Sequence, residues 1–279
     1  MALTGGCAFY TRSKCLLQDG STIVASSGTA SADRCLDRNP VSYWRSVGST
    51  DATTEELEIT FASTQTFNRL FVMDHNWKGF NAKYWNGSAY VDFTSVIGLA
   101  GSQASVTETT FSSDTAYYEF AQVTATKIRI QVTTTQVANA QKYAAQVIVC
   151  SELGTLVGYP DIKDTEVSRN LRTEKMLSGR YLTFKSDDFY KVTLEFKDYP
   201  ASLSADIDLI FSLQDMEETF LIWLCGGRSG SAYFRKQMRG YRLRDVIPVQ
   251  LIDTLKPIYS KNVYTNSVNF SAKFQESVD

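Results

Sequence analysis

Four consecutive residues, His75-Asn76-Trp77-Lys78, carry the side-chain types that bind sugars. An indole face can stack on the apolar face of a pyranose ring, while amide, imidazole and ammonium groups hydrogen-bond its hydroxyls. His75 is the chain's single histidine, so a histidine-rich metal site cannot form. A serine triad would have to use that same residue, and no Gly-x-Ser-x-Gly elbow accompanies it. A second cluster is cationic. Arg228, Arg235, Lys236, Arg239, Arg242 and Arg244 place six positive charges within 17 residues, interleaved with Tyr233, Phe234 and Tyr241. Arginine's rigid fork suits acidic faces on a neighbouring subunit. Gly226 to Ser231 is glycine-rich but lacks the Gly-Lys-Ser/Thr of a phosphate loop and reads as a hairpin tip. The acid pairs Asp187-Asp188 and Glu217-Glu218 are adjacent, so on a strand they face opposite ways and make no glycosidase pair. The chemistry expected is binding, not catalysis.

These residues need elements to position them, and the patterning supplies strands. Phe80–Trp85 and Ala89–Phe93 flank Asn86-Gly87, a strong two-residue hairpin signal. His75 to Lys78 then reads as a polar loop feeding an aromatic hairpin, with Trp77 exposed and Trp44 and Trp85 in the core. Glu56–Phe61 and Lys127–Val132 alternate polar and apolar, while Arg69–Met73 and Ala144–Cys150 are more continuously apolar. Residues 98–110 read as a loop. Turn residues separate short strands throughout this half, which predicts an all-β sandwich.

The composition shifts near Gly154, and we place a domain boundary there, giving residues 1–153 and 154–279. In the second half, the charged run from Asp161 to Gly179 reads as an arm or loop. Strands are expected at 181–185, 191–197, 220–225, 246–252 and 268–276. Ser204–Glu218 is the one helix, capped by Ser202 or Ser204, with Asp206 and Asp208 favourable in its first turn. At 279 residues, 43% hydrophobic and 21% charged, the chain can bury two ordinary cores. Net charge is −2, with 13 acidic and 11 basic residues through Leu153 and 17 of each beyond it, so neither half demands nucleic acid. No apolar run has signal-peptide or membrane-spanning length, which predicts synthesis in a cytoplasm and no membrane insertion. The five cysteines lack Cys-x-x-Cys spacing and are expected as buried thiols.

The order Ala25-Ser26-Ser27, Leu36-Asp37-Arg38-Asn39, Trp44, Tyr84-Trp85-Asn86-Gly87, Ala125 to Ile130 and Gln146-Val147 resembles the discoidin (coagulation factor 5/8 type C) family of galactose-binding-like jelly rolls. The resemblance covers residues 21–152 and implies a sandwich that binds glycans or lipid head groups through loops at one end. It also implies a structural calcium, with Asp37 as a ligand. The chain departs from the family pattern at that site, with Arg38 in place of a glycine and Gln146 in place of a glutamate. Calcium prefers several carboxylate oxygens, so the departure weighs against the ion, and Asp37 can instead tie down its own turn.

The second half is similar in texture to tail-associated structural proteins of double-stranded DNA bacteriophages, through Phe220 to Gly227, Arg239 to Val246 and the closing strand into Glu276. Together the two resemblances imply a non-enzymatic virion tail component. Its second half, β-rich with one helix and tube- or hub-like, would form a homo-oligomeric ring with other tail or baseplate proteins. Its first half would meet a host-surface glycan or dock a fibre. The alternative is a secreted or cell-surface carbohydrate-binding protein with an accessory β-domain.

Overall fold

The computed structural model describes residues 7–39, 42–48, 50–98, 101–158, 161–168, 171–175, 181–185, 189–216, 218–223, 246–252, 255, 258–261 and 266–276. The chain is mainly β and divides into two compact units. The first is built on Ser13–Glu152. The second takes the chain from Leu153 together with the amino-terminal segment that ends at Arg12.

Two long strands, Glu55–His75 and Thr115–Thr135, organise the first unit. They pair antiparallel, with Met73 opposite Thr115 and Glu55 opposite Val132. At ~3.3 Å per residue a straight strand of that length would far outrun a small sandwich. Register breaks between Glu119 and Val123 and between Ala125 and Lys127 show where the pair is irregular. Each end then takes different neighbours. Glu55 to Thr60 and Lys127 to Thr135 pair with Thr22–Ala25, Trp77–Trp85 and, through the latter, Tyr90–Asp92. Arg69 to His75 pairs with Tyr143–Cys150 and, through it, Trp44–Arg45, while Tyr118 and Glu119 pair with Val96–Gly98. The inward positions of both sets close one core, with Leu57, Ile59, Ile128 and Ile130 meeting Leu70, Val72, Tyr118 and Val149. This is a jelly-roll sandwich. The segments expected separately at 56–61 and 69–73 are two ends of one strand, and the one expected at 127–132 is an end of the other, Thr115–Thr135. The stretch expected as a loop at 98–110 contains the short strands Gly101–Gln103 and Thr107–Glu108.

In the second unit a sheet runs in the order Glu152–Thr155, Ala8–Tyr10, Phe220–Trp223, Val246–Leu251, Asn266–Glu276, Phe189–Pro200 and Asp161–Ser168. Ala8, Phe9 and Tyr10 pair with Trp223, Ile222 and Leu221, so the first strand of the chain completes the sheet of the second unit. Sequence proximity had placed that strand in the first domain. The run expected as an arm contains the strands Asp161–Ser168 and Leu171–Lys175, the latter paired with Tyr181–Lys185. Phe196 and Phe270 are cross-strand partners whose rings stack at 4.2 Å.

One α-helix, Ser204–Gln214, packs Ile207, Ile210 and Leu213 into this core. It stops short of the expected Glu218 and has no side-chain cap hydrogen bond. Asp206 is not a solvated first-turn acid. It is 2% exposed and accepts hydrogen bonds from the Val157 and Gly158 N–H groups and the Tyr199 hydroxyl. Cys7, Cys15, Cys35 and Cys150 are buried thiols, and Cys225 lies outside the described residues. Among the described residues no helix is long and apolar enough to cross a membrane.

Candidate functional site

The site grows from a two-residue edge strand, Trp44–Arg45. Trp44 lies opposite Ala144, and Ala144 lies opposite His75 on its other side. All three are buried, at 0%, 0% and 1% exposure. Because strand side chains alternate, a row that points inward fixes the neighbouring residues outward. Tyr43, Arg45, Asp74 and Tyr143 are those neighbours, and each is half-buried or exposed. Arg45 and Tyr143 are direct cross-strand partners.

The outward group is mutually engaged. The Tyr43 and Tyr143 rings meet edge to face, 5.6 Å between centres and 86° apart. The Arg45 guanidinium carbon lies 5.4 Å from both ring centres, a cation–π contact to each. The Tyr43 hydroxyl donates to the Asp74 carboxylate at 2.5 Å. Asp74 itself sits at φ +51°, a left-handed conformation uncommon outside glycine and tolerated best by Asn and Asp. A left-handed non-glycine residue costs about 1–3 kcal/mol, so the surroundings of Asp74 must hold it there. Arg45 has no carboxylate partner among the described residues.

Polar contacts brace the cluster from below. Asn76 accepts from the Tyr143 N–H at 3.0 Å and donates to the Gln141 carbonyl at 2.8 Å. Lys142 is 2% exposed, with its ammonium donating to the carbonyls of Thr50 and Thr53 at 3.0 and 2.5 Å. Its own N–H donates to the Ser46 hydroxyl, and the Ser46 N–H returns to its carbonyl. Asp51 accepts from the Asn139 N–H and from the Thr135 N–H and hydroxyl, and these donors, Asn139 first, hold its carboxyl below the ordinary range.

Of the four residues expected to form an exposed glycan loop, His75 and Trp77 are instead core. Asn76 alone separates the strands Glu55–His75 and Trp77–Trp85, so there is no loop to display them. Trp77 is 0% exposed, and its ring meets Trp44, His75 and Phe80. The His75 ring stacks on Phe111 at 5.5 Å, and its Nδ1 accepts from the Trp77 N–H. Burial pulls the His75 pKa down to about 3. Trp77 can therefore offer no face to a sugar. Asn76 serves as a brace, and Lys78 is exposed. His75 and Trp77 alternate with Asn76 and Lys78, which is a strand with an apolar inner face. Trp85, expected in the core, is half-buried and meets Tyr90 edge to face at 5.1 Å.

Asp37 is spent within its turn. Its carboxylate accepts from the Asn39 N–H and the Ser42 hydroxyl, each at 2.7 Å, and Arg38 follows at φ +60°. Among the described residues no three His, Cys, Asp or Glu side chains converge. This donor set does not fit a structural calcium. Arg228, Arg235, Lys236, Arg239, Arg242 and Arg244, expected at a subunit interface, lie outside the described residues, as does the glycine-rich stretch before them. A further charged patch on the outer face of the sheet balances two cations with two carboxylates, since Lys127 and Arg129 both reach Glu58, Arg129 also lies 3.9 Å from Glu56, and its guanidinium covers the Tyr90 ring.

Compared with known proteins, the chain matches no family model and no curated protein. Structural likeness falls on about half of it. One similar structure is chitosan-binding module 1 of a chitosanase/glucanase from Paenibacillus sp. IK-5, 18% identical, spanning 49% of this chain and 97% of that one with a TM-score of 0.38. Module 2 of the same enzyme, in complex with chitotriose, is 20% identical over 48% of this chain and 97% of that one, TM-score 0.38. The family 32 carbohydrate-binding module of Clostridium perfringens NanJ, in complex with galactose, is 15% identical over 51% of this chain and 99% of that one, TM-score 0.40. These neighbours are carbohydrate-binding modules, and none of the comparisons supports the tail-protein resemblance of the second half.

Proposed function

We propose that the first unit is a glycan-binding module whose site is the cluster of Tyr43, Arg45, Asp74 and Tyr143. The observation that carries this reading is the pair of half-buried tyrosine rings held edge to face by an exposed arginine, beside a carboxylate in a left-handed backbone position. Aromatic surface takes the C–H faces of a sugar, and a few convergent polar groups take its hydroxyls. The rigid strands behind the cluster hold its geometry without a ligand, which lowers the ordering cost of binding. The reading rests on this chemistry and not on the partial likenesses to other modules. Binding without turnover is the activity we assign, and the tyrosines are its anchors.

A panel of immobilised and free oligosaccharides tests this, followed by titration of the wild type and of Tyr43→Ala and Tyr143→Ala proteins whose circular dichroism matches it. We expect a glycan to bind and each variant to lose at least about tenfold in affinity, the scale of a truncated aromatic anchor. Unchanged binding in both variants, or no oligosaccharide bound by the wild type, overturns the reading.

A further inference from the structure

Arg45 separates this cluster from a site for neutral sugars alone. Its guanidinium is exposed and has no carboxylate partner among the described residues. The other charge in the cluster is already engaged, since the Asp74 carboxylate accepts the Tyr43 hydroxyl at 2.5 Å. The cluster thus holds one cation and one anion, and the Arg45 guanidinium is the charged group that no hydrogen bond or ion pair among the described residues engages. Two cation–π contacts restrain the guanidinium, because its carbon lies 5.4 Å from two ring centres that themselves meet edge to face. A guanidinium edge matches a carboxylate with two parallel hydrogen bonds, and Arg45, exposed and without a carboxylate partner among the described residues, can offer one. The backbone beneath is equally fixed, with the Arg45 N–H donating to the Ser31 hydroxyl and Tyr143 directly opposite. By contrast Arg129, similarly placed over Tyr90, already pairs with Glu58, and Lys127 does too. Among the described residues, Arg45 is thus a cation without a carboxylate partner that two aromatic contacts hold in place.

We infer that the site takes carboxylate-bearing glycans, with uronic or sialic acid residues, and that Arg45 is the residue that selects them. This inference rests on the glycan reading above and narrows it. The ligand's carboxylate would meet the guanidinium edge while its ring meets Tyr43 and Tyr143.

Matched probes test it: an oligoglucuronate against its methyl ester, and sialyllactose against lactose, each titrated into the wild type and into Arg45→Gln and Arg45→Lys proteins. We expect at least one acidic probe to bind about tenfold or more tighter than its neutral counterpart, as a bidentate charged pair implies. The preference should shrink in 0.5 M salt, since the arginine is exposed. Arg45→Gln should equalise acid and neutral forms, and Arg45→Lys should restore only part of the difference, because an ammonium lacks the fork. Equal binding of both members of each pair by the wild type, or a preference that survives Arg45→Gln, overturns this inference and leaves glycan binding standing. If no probe and no neutral oligosaccharide binds, the glycan reading falls and this inference with it.

Discussion

Arg45 and Tyr143 stand opposite each other across an antiparallel edge pair, and the guanidinium carbon of one lies 5.4 Å from the ring centre of the other. One residue further along the same two strands, Trp44 and Ala144 are opposite and buried. The same backbone step that seals the core thus aims the candidate site outward. Damage to the inner row and damage to the outer row should therefore have different signatures.

Trp77 tests the inner row. Replacing it with alanine removes a side chain packed against Trp44, His75 and Phe80. Stability of the first unit should fall by about 3–5 kcal/mol, the usual cost of truncating a buried large aromatic. Urea unfolding followed by circular dichroism reads this. A loss under about 1 kcal/mol would contradict the burial of this ring.

His75 makes stability depend on pH in a defined window. Its folded pKa is about 3 against 6.5 for the free side chain, so the unfolded chain binds the proton first. The stabilising difference is complete above pH 6.5 and is lost as pH falls toward 3, at about 1.4 kcal/mol per pH unit. Unfolding free energies at pH 7, 6 and 5 should show this slope, and His75→Phe should flatten it. Keeping above pH 5 avoids the carboxyls, of which Glu58 is held down to about 2 by the Tyr90 hydroxyl beside it, with Arg129 and Lys127 assisting against burial.

Asp74 links strain to the site. Its left-handed φ disfavours alanine more than asparagine. Asp74→Ala should destabilise the unit by about 1 kcal/mol more than Asp74→Asn does. Differential scanning calorimetry on the two variants compares them directly, and equal melting temperatures would remove the strain argument.

Lys142 closes the loop beneath the cluster. Lys142→Met leaves the Thr50 and Thr53 carbonyls without their buried donor. The expected cost is about 2 kcal/mol, with faster hydrogen exchange confined at first to residues 50–53 and their contacts at Thr135 and Asn139. Protection unchanged at those amides would show the lysine to be dispensable.

In the second unit, Asp206→Asn replaces an acceptor of three hydrogen bonds with a group that turns an N–H toward some of the same donors. We expect a loss of about 3 kcal/mol, larger than that of Tyr199→Phe, which removes one donor only. Thermal unfolding of both variants orders them, and the reverse order would overturn this account of the buried acid.

Local patterning alone determined much of this protein. Alternation placed the strands at 127–132, 191–197 and 268–276, because a strand's period of two is a property of neighbouring residues, and Asn86-Gly87 marked the turn, although Trp85 pairs with Tyr90 across four residues, not the expected two, and of the expected pair only Gly87 takes a positive φ. The helix near Ser204 and the self-bonded turn at Asp37 were legible for the same reason. What the sequence left open depends on which strand lies beside which. Trp77 reads as a loop aromatic until Trp44, Phe80 and Phe111 close around it and His75. Ala8–Tyr10 reads as part of the first domain until it pairs with Phe220–Trp223, more than two hundred residues away. Tyr43, Arg45, Asp74 and Tyr143 carry no spacing that marks them as a group, although Tyr43-Trp44-Arg45 does show an apolar residue between two outward ones. Only the pairing of Trp44–Arg45 with Tyr143–Cys150, and of that strand with the end of Glu55–His75, brings the four onto one face. Long-range register decides such sites, and register is fixed by the buried faces of all the strands together.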